Sequence, residues 1–260
     1  MSLDIKAKNK KYGLCAICEK YAKFSKDHIP PKCCGNKGKF TFTRLVKEKN
    51  ARKDFIAQNG ITFGFICDDC NNRMGTLYDE EMSKFQDLIF ELGKTGKSHI
   101  KVDFYKILKC IIGHFLASYE RGNSELQNAM KKIYLDDKNI EKEFFDKYSL
   151  YCYLYPFEDK IFVLNEYYVK NVMHDSNDDG FYSSLYFYPF AFLITEKDKF
   201  GAYANLTNSL INKAPFTVSG KDWYIDGKVK SYIWPADINN EKIIFTGESA
   251  KSSVIVIDDK

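Results

Sequence analysis

Residues 65–75 read Phe-Ile-Cys-Asp-Asp-Cys-Asn-Asn-Arg-Met-Gly, which places a Cys-x-x-Cys pair directly before an asparagine. An earlier pair, Cys15 and Cys18, is separated from Cys67 and Cys70 by 48 residues. Two such pairs offer four thiolates to one tetrahedral zinc ion, and four thiolates leave no coordination position for substrate. The spacing therefore predicts a structural zinc site, and four unrelated buried cysteines are the alternative. The remaining cysteines have no comparable spacing, and we interpret the adjacent Cys33 and Cys34 as incidental.

Between the two pairs, residues 26–32 read Lys-Asp-His-Ile-Pro-Pro-Lys. If one zinc ion holds Cys18 and Cys70 together, Asp27 and Asn71 can approach each other in space. Asp27 could hold a hard divalent cation such as Mg²⁺ through oxygen, and the carbonyl oxygen of Asn71 could add a second ligand. His28 could accept a proton from an attacking water as general base. These residue types suit hydrolysis of a phosphodiester.

The order of the motifs CAIC, KDHIPPK and FICDDCNNRMG resembles the HNH endonuclease superfamily in its ββα-metal form, which carries a four-cysteine zinc. The phage Holliday-junction resolvase branch has a similar arrangement, with Asp-His between the pairs and Asn directly after the last cysteine, and the resemblance covers about residues 12–80. It implies that Asp27 and Asn71 bind a catalytic Mg²⁺ or Mn²⁺ and that His28 is the general base. It also implies that the hairpin around Asp27 packs against the helix after Cys70.

The family pattern contains a further asparagine that orients the catalytic loop. Asn50 and Asn59 are both candidates, and we favour Asn59 because it lies in a turn before a predicted strand. The distance from His28 to Cys67 exceeds what a compact motif needs, which predicts an insertion. The polar, basic stretch 35–59 is predicted to be that insertion, as a long loop.

Charge is distributed unevenly along the 260 residues. Residues 1–60 contain fifteen Lys or Arg and five Asp or Glu, a net of +10, which leaves −6 for the rest of a chain whose total is +4. A basic first quarter indicates a nucleic-acid partner, although a solvated lysine-rich face is an equal alternative. The resemblance favours DNA over RNA.

Targeting and membrane segments are not expected from this sequence. There is no run of 18 apolar residues, and no apolar stretch follows the basic N-terminus. We therefore expect no membrane association, no secretory signal and a cytoplasmic location.

The chain is predicted to be an α+β protein in three parts. An HNH-like zinc and nuclease module covers residues 1–92, a helical segment 93–148, and an aromatic-rich, β-containing domain of undefined role 149–260. Helical spacing predicts helices from just after Cys70, over 79–92 and over 103–119, with Asp103 as an N-cap. Two shorter helices are predicted over 124–134 and 140–148. Asp79 is interpreted as a helix cap, with a supporting carboxylate near the site as the alternative.

The C-terminal part changes character. Sixteen of the 53 residues from 148 to 200 are Phe or Tyr, and apolar residues alternate, which predicts an antiparallel sheet. We interpret these aromatics as packing residues rather than as a base-stacking platform, and His114 as a satisfied core histidine. This domain is the predicted contact for a protein partner or for a second copy of the chain.

The sequence thus predicts a metal-dependent HNH-type endonuclease, with a context in defence or restriction. The alternative is an inactive, zinc-stabilised module that binds nucleic acid or protein. A toxin-like nuclease effector held inactive by a partner is a third reading. The geometry that separates the first two is whether Asp27, Asn71 and His28 converge on one open site.

Overall fold

The computed structural model describes residues 4–6, 11–44, 55–95, 102–118, 122, 124–135, 141–155, 158, 160–169, 180–197, 204–205 and 254–258. These residues form an α+β fold, as predicted. The helices are α1 (Asp68–Leu77), α2 (Asp79–Thr95), α3 (Phe104–Ala117), α4 (Glu125–Leu135) and α5 (Glu141–Lys147). The strands are β1 (Asp4–Lys6), β2 (Tyr12–Leu14), β3 (Tyr21–His28), β4 (Phe40–Arg44), β5 (Phe55–Ala57), β6 (Thr62–Cys67), β7 (Tyr148–Leu154), β8 (Lys160–Val169), β9 (Gly180–Phe187), β10 (Phe190–Glu196), β11 (Ala204–Asn205) and β12 (Val254–Asp258).

The N-terminal sheet has the strand order β1-β6-β3-β2. β3 pairs antiparallel with β6, and α1 begins directly after β6, with Cys67 as its N-cap residue. Every residue of β6 is buried, because this central strand has β1 on one side and β3 on the other. The two strands and the helix after them therefore form one compact ββα unit.

The larger sheet has eight strands in the order β11-β7-β10-β9-β8-β12-β4-β5, and all of its pairings are antiparallel. This confirms the antiparallel sheet predicted for the C-terminal part. The sequence has two further short apolar runs that favour strands, at 243–245 and 254–257. The first lies outside the described residues, and the second forms most of β12.

The prediction of one long loop over residues 35–59 is wrong in part. β4 and β5 both lie within this stretch, and β4 pairs with β12 near the end of the chain. The segment therefore contributes an edge to the larger sheet. The alternation of apolar residues in β4 includes only Phe40 and Phe42, and lysines lie on both sides of it, so the local pattern does not predict a strand. The three-part domain division stays a prediction.

The helices follow the predicted pattern closely. Asp103 caps α3, and its Oδ1 accepts hydrogen bonds from the backbone N–H groups of Tyr105 (3.0 Å) and Lys106 (3.3 Å). α1 begins at Asp68, before rather than after Cys70, and it continues through Gly75 to Leu77. The two short helices at 125–135 and 141–147 are also confirmed.

One continuous apolar core joins the helices to both sheets. Phe85 of α2 stacks on Phe190 of β10 with ring centroids 4.7 Å apart and planes 6° from parallel. α3 approaches α1 so closely that a Cβ on Gly113 would lie 2.5 Å from the Met74 sulfur. Buried aromatics such as Tyr186 fill the sheet interior, which confirms their packing role. Within the described ranges, no helix has the length and apolarity that a membrane crossing requires.

Candidate functional site

The four predicted cysteines come together at one end of the β3–β6 pair. The sulfurs of Cys15, Cys18, Cys67 and Cys70 all lie within 4.8 Å of one another. The Sγ atoms of Cys18 and Cys67 are 3.7 Å apart, which matches the edge of about 3.8 Å of a tetrahedron with zinc–sulfur bonds of about 2.3 Å. The cluster could therefore hold a metal ion, and its donor set and shape fit a structural zinc.

The electrostatics of the four thiols also fit a cation. A hydrogen bond from the Cys70 thiol lowers the pKa of Cys15 to about 5, although burial opposes this. The same hydrogen bond to Cys15, together with burial, raises the pKa of the Cys70 thiol far above that of an ordinary thiol. Four neighbouring thiols cannot all ionise while their charges are uncompensated. A divalent cation would remove that conflict and bind all four as thiolates.

Asp27 and His28 lie at the opposite end of β3 from this cluster. Phe24 pairs with Cys67 at the cysteine end, whereas Asp27 pairs with Phe63 and His28 with Thr62. The register shifts between residues 25 and 27, so that two residues of β6 oppose Lys26 alone. Neighbouring side chains of a strand point to opposite faces, and Asp27 is buried while His28 is half-buried.

Asn71 is tied to the same stretch of β3. Its Nδ2 donates hydrogen bonds to the Ser25 hydroxyl (2.8 Å) and to the Lys26 carbonyl (3.1 Å). Both hydrogen bonds use the amide nitrogen, which orients the Oδ1 oxygen away from these acceptors. The first turn of α1 thus holds Asn71 beside the residues that lead into Asp27.

The His28 ring has a defined orientation. Its Nε2 lies 3.3 Å from the backbone carbonyl of Asn59. Because a carbonyl only accepts, Nε2 carries the proton and Nδ1 is the basic nitrogen of the neutral ring. Burial lowers the pKa of His28, and the Asn59 carbonyl partly offsets this. The imidazole is therefore neutral over a wider pH range than in an ordinary histidine.

Asn36 connects the loop after His28 to the start of β6 through its side chain. The sequence did not identify this residue as part of the site. Asn36 is fully buried, and its Nδ2 donates to the carbonyls of Pro30 (2.8 Å) and Ile61 (2.9 Å). Its Oδ1 accepts from the Ile61 N–H at 2.7 Å. Asn36 therefore joins the loop after His28 to the start of β6.

Asn59, the favoured candidate for an orienting role, contacts His28 through its main chain rather than its side chain, which is exposed. Asn50 lies outside the described residues. The neighbouring Gly60 has φ +79°, and a Cβ there would lie 2.3 Å from the Asn36 carbonyl oxygen. The sequence signal for Asn36 was a polar residue between two glycines, Gly35 and Gly38, within a segment interpreted as loop.

Behind Asp27 lies a second layer of polar residues. The Nδ1 atom of His114 is 3.2 Å from Asp27 Oδ2, and its Nε2 atom is 3.2 Å from Asp79 Oδ1. Burial opposes a charge on His114, but Cys110 and Asp27 raise its pKa well above the ordinary value. His114 is thus a satisfied buried histidine, as predicted, but its partners belong to the candidate site.

Asp79 is the first residue of α2, and its carboxylate contacts His114. Its role as a helix cap or as a supporting carboxylate stays a prediction. Hydrogen bonding to His114 lowers the pKa of Asp79 against the opposing effect of burial. Burial is the main cause that raises the pKa of Asp27, although His114 opposes it. The signal for this layer was a Cys-x-x-x-His spacing, Cys110 to His114, on one face of an apolar helix.

Asp27 and His28 lie in β3, and Asn71 is hydrogen-bonded to the same strand. The three side chains differ in accessibility. The Asp27 side chain is only 5% exposed, whereas His28 and Asn71 are half-buried. A cavity of about 1340 Å³ lies elsewhere, beside Cys18 and between α4 and α5.

Comparison of the chain with protein families, with curated proteins and with solved structures finds no match.

Proposed function

We propose that the chain is a metal-dependent HNH-type endonuclease that hydrolyses phosphodiester bonds of nucleic acid, with DNA favoured over RNA. The observation that carries the proposal is the pair of hydrogen bonds from Asn71 to Ser25 and to the Lys26 carbonyl. They tie the residue after the last cysteine to the strand that carries Asp27 and His28. This is the arrangement that the family resemblance requires.

The ligand set suits a hard divalent cation. Asp27 uses Oδ2 toward His114 and Asn71 uses Nδ2 toward β3, which leaves Asp27 Oδ1 and Asn71 Oδ1 as oxygen ligands. When bound there, Mg²⁺ or Mn²⁺ would stabilise negative charge on the phosphate and on the leaving oxygen. The amide and carboxylate are held in place by their own hydrogen bonds, so little ordering remains for binding.

His28 suits the role of general base. Its Nε2–H is occupied by the Asn59 carbonyl, so Nδ1 is the nitrogen that would take a proton from the attacking water. Burial, which lowers the pKa of His28, keeps Nδ1 unprotonated near neutral pH. A positioned base of this kind contributes about 10²- to 10⁴-fold to the rate.

Charge near the site suits a polyanionic substrate. Residues 11–44 contain eight Lys or Arg against two acidic residues, Glu19 and Asp27. Glu19 forms an ion pair with Lys131 at 3.0 Å and Asp27 is buried. The accessible charge of this segment is therefore strongly positive, which favours binding of the phosphate backbone.

A plasmid-nicking assay tests the proposal. Purified protein is incubated with supercoiled plasmid in Mg²⁺ and, separately, in Mn²⁺, beside His28→Ala and Asn59→Ala. The wild type is expected to nick. His28→Ala is expected to lose about 10²-fold or more, and Asn59→Ala to stay active because it keeps the backbone carbonyl. Equal nicking by wild type and His28→Ala, or none across metals and substrates, would reject catalysis.

The second candidate is a zinc-stabilised binding module without catalysis. The low exposure of Asp27 and its contact with His114 favour it, since a buried carboxylate meets a cation less readily than an open one. This candidate predicts that the protein shifts labelled DNA in a gel, with Asp27→Asn and His28→Ala unaffected, while no metal yields cleavage.

A further inference from the structure

A second set of metal-type ligands lies outside the four-cysteine cluster. Asp79, Cys110 and His114 place an oxygen, a sulfur and a nitrogen within 4.8 Å of one another. Cys110 and His114 are one helical turn apart, so both project from the same face of α3. Both are buried, and the Asp79 side chain is 22% exposed. From the sequence, His114 is predicted to be a core residue and Asp79 a helix cap or supporting carboxylate, and Cys110 lacks the spacing of the zinc cysteines.

The distances within this set match a zinc site. His114 Nε2 is 3.2 Å from Asp79 Oδ1, and Cys110 Sγ is 3.5 Å from the same oxygen. In a tetrahedral zinc site, with bonds of about 2.0 Å to N and O and about 2.3 Å to S, these separations are about 3.3 Å and about 3.5 Å. The three donors thus already lie near the edges of one coordination tetrahedron.

The opposite edge of the imidazole has the partner that a zinc-binding histidine usually has. Asp27 Oδ2 lies 3.2 Å from His114 Nδ1. Histidines that bind zinc generally donate their other N–H to a carboxylate, which fixes the tautomer and the ring orientation. With Nδ1–H directed at Asp27, the Nε2 proton that faces Asp79 would be displaced by the incoming ion, and the freed Nε2 lone pair would bind it.

Charge also favours a cation at this position. A thiolate at Cys110 and a carboxylate at Asp79 would neutralise a divalent ion, with His114 as a neutral ligand. Cys33 lies beside the set, with its thiol 3.4 Å from the Asp79 backbone carbonyl. A water on the exposed side of Asp79 or the Cys33 thiolate would complete four-coordination.

We propose that Asp79, Cys110 and His114 bind a second zinc ion, with Asp27 as the carboxylate that orients His114. The ion would link the start of α2 to α3 and would hold Asp27 from behind. The site shares no ligand with the proposed catalytic site, but it adjoins that site through Asp27, so its test counts metal ions rather than cleavage.

The test counts metal in the full chain. The protein is saturated with zinc, freed of unbound ion by gel filtration, and analysed by elemental mass spectrometry. We expect two zinc ions per wild-type chain and one in Cys110→Ala. Cys152→Ala is the matched control, because Cys152 is equally buried and lies in β7. It should keep two ions, as should Asn71→Ala, which separates this site from the proposed catalytic one.

Cobalt substitution identifies the ligands. The spectrum of wild type minus Cys110→Ala should contain the charge-transfer band of a single thiolate, while the bands of the four-thiolate site stay unchanged. One ion per wild-type chain after saturation, or two in both wild type and Cys110→Ala, would overturn the proposal. If Cys110→Ala does not fold by circular dichroism, Asp79→Asn replaces it, and the wild-type count still decides.

Discussion

The two ends of the β3–β6 pair carry sites that differ in how they are built. At one end, Cys67 and its three partners use a single ligand type in two short spacings. At the other end, Asp27 and His28 depend on groups contributed by distant parts of the chain, His114 and the Asn59 carbonyl. The cysteine end offers four sulfur donors and leaves no coordination position for substrate. The other end combines carboxylate and imidazole groups, with His114 and Asp79 behind Asp27. A metal site with one ligand type can therefore be recognised from two short spacings, whereas a site with mixed donors can be recognised only after the fold brings its residues together.

The largest expected effect comes from breaking the cysteine end. Cys67→Ala removes one of the four thiol ligands at the start of α1. Since structural zinc contributes about 10–16 kcal/mol to folding of small zinc modules, we expect loss of the four-thiolate zinc and unfolding of the β3–β6–α1 unit. Cobalt absorption and circular dichroism measure both. Cys152→Ala should keep the thiolate bands, and survival of those bands in Cys67→Ala would contradict the assignment.

A smaller but substantial effect is expected at the other end from Asn36→Ala. The substitution leaves the backbone groups of Pro30 and Ile61 without their side-chain partner in a buried loop. The free energy of unfolding should fall by roughly 2–4 kcal/mol, as measured by urea denaturation. The exposed Asn72→Ala is the matched control and should change it by less than about 0.5 kcal/mol. Equal stability of the two variants would remove Asn36 from the account.

The contact between α1 and α3 gives a third, milder test. Gly113→Ala would place a methyl group 2.5 Å from the Met74 sulfur and 2.7 Å from the Tyr134 ring. Overpacking of this kind costs about 1–3 kcal/mol, and the adjacent His114 should shift with the helix. Gly75→Ala is the control, since nothing lies within 4 Å of a Cβ at Gly75. An unchanged melting temperature in Gly113→Ala would show that α3 packs less closely.

The smallest expected effect concerns pH. Because burial lowers the pKa of His28 below that of an ordinary histidine, the unprotonated base persists to a lower pH. The acidic limb of log kcat/KM for nicking should therefore fall off at a pH below the model-peptide histidine value of about 6.5. A limb centred above that value would mean that His28 is not the titrating base.

Much of the fold could be predicted from the sequence. The stripes of apolar residues predicted α2 and α3, and Asp103 was recognised as a cap because its type and position suit one. β4 and β5 could not be predicted, because β4 pairs with β12 near the end of the chain and β5 is an edge strand that pairs with β4. Edge strands of this kind depend on tertiary context more than on local pattern.

The candidate site divides in the same way. Spacing and residue type are enough to predict the four cysteines and the order of Asp27, His28 and Asn71, because the chemistry of these positions depends on them. Asn36 was missed because its role is to bond backbone groups, and only the folded loop places them around it. His114 looked like core because it lies in an apolar helix. Its role depends on the carboxylates of Asp79 and Asp27, which α2 and β3 bring to its two ring nitrogens.

The most direct test of the central claim compares two neighbouring asparagines in metal-dependent cleavage. Asn71→Ala removes the proposed oxygen ligand and the hydrogen bonds to β3, whereas Asn72→Ala changes an exposed neighbour on the same helix. In a plasmid assay with Mn²⁺ titrated from micromolar to millimolar, the account predicts wild-type cleavage by Asn72→Ala. It predicts at least a ten-fold loss for Asn71→Ala, in line with loss of a metal-site contact. Identical Mn²⁺ dependence and rate in the two variants would contradict a cation shared by Asp27 and Asn71.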